Sequence, residues 1–335
     1  MIRKLIAFVL TAAMALSLLT VSGAGALEAR AEGEIELSSL EDVVAALGSN
    51  TRESLGTKTY KLTANISVGT TAAGGSNLYV LGDEDITLDL AGYRLRSLAF
   101  RNFITVQGGG AFTLIDSVGG GSLEAYYNAT STSTSTSRAV YLTGEGSTFN
   151  LVSGTVKSYV TNGTYDGFTK TSTLKGNLIY AADGTSFNMT GGTVTELPPL
   201  STTSTSGGMI YLGNGTHTIS GGTISNGISS SGGNILLNKG TLTISGDDTL
   251  ITGGTARYGG NIRANDGSTL IINGGTVSNG VSTTFFGNSP SGGNIYCPVG
   301  STVVINGGTF SGSTTTNNNY YNYLRGTATI NGGTF

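Results

Sequence analysis

The chain of 335 residues has no tryptophan, one histidine and one cysteine, and only 11% of its residues are charged. A single cysteine excludes an intrachain disulfide framework, so an exported form of this chain must be held together by packing and hydrogen bonds. The formal net charge is -3. A surface that binds nucleic acid needs clustered Lys and Arg, and no such cluster occurs here, so nucleic acid is not an expected partner. No EF-hand or nonapeptide calcium repeat is present, and neither a cofactor nor a metal ligand set is expected.

Long apolar runs are also scarce. The one that exists, residues 5–20, follows Arg3 and Lys4 and precedes two small-residue sites, Ala24-Gly25-Ala26 and Ala29-Arg30-Ala31. A basic start, a short apolar stretch and an A-x-A site read as a secretory signal, with cleavage expected after Ala31. The run is short for a membrane-spanning helix. The mature chain is therefore expected to be secreted or at the cell surface. Membrane contact would come only through the signal or through an anchor beyond the C-terminus.

Glycine is abundant, at 54 residues. Without a Gly-X-Y period, this excludes collagen and points to a turn-rich β architecture. A hydrophobic content of 38% is enough for a core. The word Gly-Gly-Thr plus an apolar residue recurs at Gly191, Gly221, Gly274, Gly307 and Gly332, each time after an alternating strand. A second word, Gly-Gly-x-Ile, recurs at Gly207, Gly232, Gly259 and Gly292. The unit reads strand, tight turn, strand, Gly-Gly, short strand and variable loop. Units span roughly 25 to 39 residues, which is the solenoid range.

Successive strand residues point to opposite sides, so alternation assigns faces. One inward column is expected to run Ile86, Phe112, Phe149, Phe187, His217, Leu242, Leu270, Val303, Ala328. The next runs Leu88, Leu114, Leu151, Met189, Ile219, Ile244, Ile272, Ile305, Ile330. Outward, a column of Tyr79, Thr105, Tyr141, Tyr180, Tyr211, Leu236, Arg263, Tyr296, Tyr323 is expected. Another holds Ser122, Thr155, Thr193, Thr223, Thr249, Thr276, Thr309 and Thr334, with Thr255 competing for the place of Thr249. Residues 38–47 have helical apolar spacing, with Ser39 as N-cap and Asp42 three residues on. They are expected to form a helix that covers the open end of the first coil.

With "DITLDLAGYRL" (residues 85–95) leading into the Gly-Gly-Thr units, residues 60–335 resemble the right-handed parallel β-helix of the pectin-lyase-like superfamily. The Gly-Gly-Asn-Ile words are similar to repeats of bacterial surface adhesins. The resemblance implies an all-β solenoid of about nine coils over residues 61–335, preceded by a signal (1–31) and a segment with the capping helix (32–60). It also implies that Asn234, Asn261 and Asn294 form a structural asparagine ladder between coils.

The enzymes of that superfamily carry carboxylate clusters with a basic residue, or the Asn-Thr-Asp, Asp-Asp, Gly-His-Gly and Arg-Ile-Lys motifs. Of these only Gly246-Asp247-Asp248 occurs. Adjacent strand residues face opposite sides, whereas glycoside hydrolysis needs two carboxylates facing one sugar, so this pair reads as a turn. His217 and Cys297 fall at inward positions and read as packed residues. No catalytic residue is assigned. Tyr141, Tyr180, Tyr211 and Tyr296 admit two readings: strand formers that stack on one another, or an outer platform for a glycan or a partner surface. The expectation is a secreted or surface-attached adhesive or structural stalk that binds glycans or host or microbial surface proteins. A polysaccharide lyase or glycoside hydrolase is the alternative. The last six residues repeat residues 305–310 and stop inside a third strand, which predicts further coils and an anchoring module beyond Phe335.

Overall fold

The computed structural model describes residues 33–69, 77–98, 102–127, 137–160, 177–196, 207–284, 289–316 and 321–335. The signal segment, most of the Ser/Thr-rich residues 130–137 and the Ser/Thr-rich residues 201–206 lie outside these. All strand pairs are parallel, and each strand inside a sheet pairs with the equivalent strand of the coil before and the coil after. The result is a right-handed parallel β-helix with three principal sheets. In one coil the chain passes through Ile210–Leu212, then Thr216–Ile219, then Thr223–Ser225. These belong to a nine-stranded, an eleven-stranded and a second nine-stranded sheet. We call them the tyrosine sheet, the long sheet and the threonine sheet. A fourth sheet of three two-residue strands, Thr255–Ala256, Val281–Ser282 and Thr314–Thr315, closes one corner of the later coils.

The inward columns stack in register. Phe112 pairs with Phe149 and Phe149 with Phe187, and their rings lie 5.5 and 5.6 Å apart. All three are fully buried, as are Leu114, Leu151, Met189 and Ile219. Each such side chain contributes about 1.5–3 kcal/mol of burial, repeated coil after coil.

The Gly-Gly words have a steric cause. At the corner between the long and threonine sheets, a Cβ on Gly221 would lie 2.4 Å from the Thr190 carbonyl oxygen of the preceding coil, and Gly222 has φ +84°. The first glycine permits backbone stacking, and the second supplies the left-handed turn. In the earliest coils, which lack the pair, buried carboxylates tie the same corner. Asp89 accepts from the Ala91 and Ser117 N–H groups, and Asp116 from those of Gly92 and Gly121.

The helix Leu40–Leu47 has a capping box: Ser39 Oγ accepts from Asp42 N–H, and the Asp42 carboxylate accepts from Ser39 N–H. Val43 and Leu47 are buried, and the helix packs on the strands Ile66–Val68 and Leu78–Val80. Two strands that begin upstream of residue 61, Glu34–Leu37 and Thr57–Leu62, extend the long sheet. One expected column needs correction. Thr223 pairs with Leu250, and Leu250 with Thr276. Thr249 is instead buried, its hydroxyl donating to the Ser245 carbonyl. Thr255 belongs to the fourth sheet.

Candidate functional site

The outward column of the tyrosine sheet is continuous in register from Tyr79 to Tyr323. Short strands hold Tyr79, Tyr141, Tyr180, Tyr211 and Tyr296 each between two buried neighbours, as Ile210 and Leu212 hold Tyr211, so these rings cannot turn inward. Tyr141 and Tyr180 are 5.6 Å apart and tilted by 44°, and Tyr180 and Tyr211 are 4.4 Å apart and nearly parallel, at 3°. All four expected tyrosines are partly exposed. Tyr296 stands apart from the other three, separated by Leu236 and Arg263. The Tyr211 hydroxyl accepts from Asn238 Nδ2 at 2.9 Å. Burial raises the phenols of Tyr211 and Tyr296 above the usual tyrosine range, so both present neutral hydroxyls at neutral pH.

The interruption in the column is filled by residues the sequence reading did not single out. Tyr258 enters from the preceding corner, where it bridges Ser231 and Ser291, and its ring lies 4.8 Å from Tyr296. Arg257 lies over Tyr258 at 4.6 Å, and Arg263 lies over both Tyr258 and Tyr296 at 5.3 and 5.5 Å. Earlier along the sheet, Arg138 lies 5.0 Å from Tyr141 and 4.5 Å from Tyr180. The signal in the sequence is Arg257-Tyr258 directly before Gly259-Gly260, where the neighbouring coils carry Ser230-Ser231 and Pro290-Ser291.

Asn234, Asn261 and Asn294 are buried and joined: Asn234 Nδ2 donates to Asn261 Oδ1 at 2.8 Å, and Asn261 Nδ2 to Asn294 Oδ1 at 2.9 Å. Each Oδ1 also accepts a backbone N–H, from Gly227, Gly254 and Gly280 respectively. Each Nδ2 donates to a backbone carbonyl, for Asn234 and Asn261 as a second bond and for Asn294, the last rung, as the one it makes among the described residues. Their polar atoms are occupied within the fold, which leaves them no role toward a ligand.

The residues of possible chemical interest are dispersed. Asp247 and Asp248 are exposed in a turn. Asp247 borders a shallow groove of about 490 Å³ that runs past Asn273, Gly275, Thr276, Thr309 and Thr334, with no second carboxylate in its lining. Glu196 accepts from Ile228 N–H at 3.1 Å, and burial of its carboxyl pushes it up to about 7. His217 is fully buried. Its Nδ1 accepts from Phe187 N–H, which places the proton on Nε2, facing the Gly213 carbonyl; burial holds it below the usual histidine range. Cys297 is buried with its thiol pushed up to about 12, so it is no nucleophile. Among the described residues, no group of three His, Cys, Asp or Glu is placed to hold a metal ion, and no helix is long and apolar enough to cross a membrane.

No protein-family profile, curated protein or solved structure matches the chain significantly.

Proposed function

We propose that this protein is a secreted or cell-surface stalk that binds glycans, or a host or microbial surface protein, through the outer face of its tyrosine sheet and without catalysis. The observation that carries the reading is the in-register column Tyr141, Tyr180, Tyr211, with rings held outward at stacking distance. A rigid row of flat, amphipathic rings offers an apolar face and a polar tip to a sugar or a partner at little entropic cost. Export rests on the basic and apolar start of the sequence. On the resemblance of its repeats, we place the chain with the adhesin-like β-helices of the pectin-lyase-like superfamily, and with bacterial ones.

The test is the triple variant Tyr141→Ala, Tyr180→Ala, Tyr211→Ala, assayed on a glycan array and on cells. At about 1 kcal/mol per stacked ring, binding should weaken roughly a hundredfold, while the far-UV spectrum stays β-type. Unchanged binding would leave the tyrosines as strand formers. Release of reducing ends from pectin, alginate or glycosaminoglycans that disappears in Asp247→Asn would replace this reading with an enzymatic one.

A further inference from the structure

The later half of the tyrosine sheet gathers two guanidiniums on one ring, where the earlier half has, among the described residues, Arg138 alone over Tyr141 and Tyr180. Two guanidiniums, Arg257 and Arg263, converge on the Tyr258 ring at 4.6 and 5.3 Å. The nine strands of the sheet contain no Asp or Glu. Among the described residues, ion pairs involve Arg52, Lys61, Arg96 and Lys157, and none reaches Arg257 or Arg263. The Nε atoms of both arginines are buried without a hydrogen-bond partner. Arg263 Nη1 donates to Ser231 Oγ at 2.7 Å, which fixes the direction of its fork. The two guanidiniums share the Tyr258 ring and lie near enough that the charge of Arg257, after burial as the main cause, helps hold Arg263 below the usual arginine range. Two like charges so placed, partly desolvated and with no ion pair to either among the described residues, are unfavourable. A bound anion relieves that. Beside them, Tyr296 and Tyr323 form a nearly parallel pair, 4.6 Å apart at 5°, with both rings partly exposed.

We propose that Arg257, Tyr258, Arg263 and Tyr296 form a binding site for sulfated glycans, an inference that rests on the reading of this face as a glycan-binding surface. The ligand class follows from the donor set. A carboxylate meets only one guanidinium in the coplanar bidentate geometry, and a second must share its remaining lone pairs. A sulfate ester presents three terminal oxygens and accepts from both guanidiniums at once. The sugar ring that carries it then has the tyrosine faces to lie against. The chain as a whole is acidic, with a net charge of -3, so bulk charge does not account for retention of a polyanion.

The experiment measures affinity of the purified mature chain for heparin, chemically desulfated heparin and polygalacturonate at fixed salt. Heparin is expected to bind at least tenfold more tightly than the other two. Arg257→Gln with Arg263→Gln is expected to remove that preference at unchanged thermal stability, and Lys58→Gln, exposed on another sheet, to leave it intact. Equal binding of the desulfated polymer or of polygalacturonate, or a double variant that keeps its heparin affinity, would overturn the proposal. The failures of the two readings separate cleanly. If Tyr141→Ala, Tyr180→Ala, Tyr211→Ala abolishes glycan binding and the arginine variant changes nothing, the sulfate site is wrong and the tyrosine platform stands. If only the arginine variant loses binding, the sulfate site stands and the platform does not extend to the earlier coils.

Discussion

Asn261 makes four hydrogen bonds with its side chain: it donates to the Ser278 carbonyl and to Asn294, and accepts from Asn234 and from Gly254 N–H. All lie in the dry corner between the threonine and tyrosine sheets. Asn306 sits in a second ladder of similar geometry, donating to Asn273 and accepting from Asn331, but it is exposed. Removing a buried partner leaves the others unsatisfied at about 1–3 kcal/mol each, whereas water replaces an exposed one. Asn261→Ala should therefore lower unfolding free energy by about 3 kcal/mol or more in urea titrations, and Asn306→Ala by less than about 1 kcal/mol. Equal losses would mean that burial is not what makes the inner ladder matter. His217 offers a pH test. Its folded pKa lies below the unfolded value of about 6.5 because burial disfavours the imidazolium. The unfolded chain thus binds the proton more tightly. This contribution to stability is complete above the unfolded value and lost as pH falls through the depressed folded one. His217→Phe continues the Phe112, Phe149, Phe187 column but orphans the Phe187 N–H. It should be less stable than the parent at pH 7.5, with the gap narrowing by pH 5. Parallel stability curves would contradict the assignment of a neutral buried imidazole.

Glycines that look alike in the repeats differ in what surrounds them. Gly221 has the Thr190 carbonyl 2.4 Å from where its Cβ would stand, whereas the nearest atom to a Cβ on Gly274 is 3.5 Å away. Neither has a left-handed φ. Gly221→Ala must push two coils apart and should destabilise markedly. Gly274→Ala meets ordinary contacts, gains from a stiffer unfolded chain, and should be neutral or raise the melting temperature. The reverse order in a thermal melt would refute the stacking explanation. The same reasoning shows what the sequence could and could not disclose. Period-two alternation places both inward columns and the tyrosine column, because one buried face fixes strand register. Thr249 was misplaced because five residues separate Ile244 from Leu250 where three separate Ile272 from Thr276; the additional length is the Asp247-Asp248 turn, and column reading assumes equal turns. Tyr258 was missed because its partners, Ser231 and Ser291, lie in a corner with single bridges and no alternation to count. The strand Glu34–Leu37 was missed because it pairs across the helix with Thr57–Leu62 and carries no repeat word.

Stacked coils touch only their neighbours, and this governs how the molecule responds to damage. Sheet pairing runs strictly from one coil to the next, so stability is close to a sum of coil terms and nearest-neighbour interfaces. The earlier and later coils are also tied differently. Phenylalanine stacking and buried carboxylates secure the coils around Phe112 and Phe149. The asparagine ladder and the fourth sheet secure those from Asn234 onward. A lesion in one set of ties therefore has no structural route to the other except through successive interfaces. Native-state hydrogen exchange on Asn261→Ala should show this directly. Protection should fall for the strands Ile235–Leu237, Ile262–Ala264 and Ile295–Cys297, which the ladder precedes. It should persist in Ala111–Ile115 and Thr148–Leu151, where opening draws on a separate, undamaged set of contacts. If exchange instead accelerates equally in all five strands, the coils unfold as one cooperative unit. The tyrosine and arginine halves of the outer face would then have to be treated as a single mechanical body.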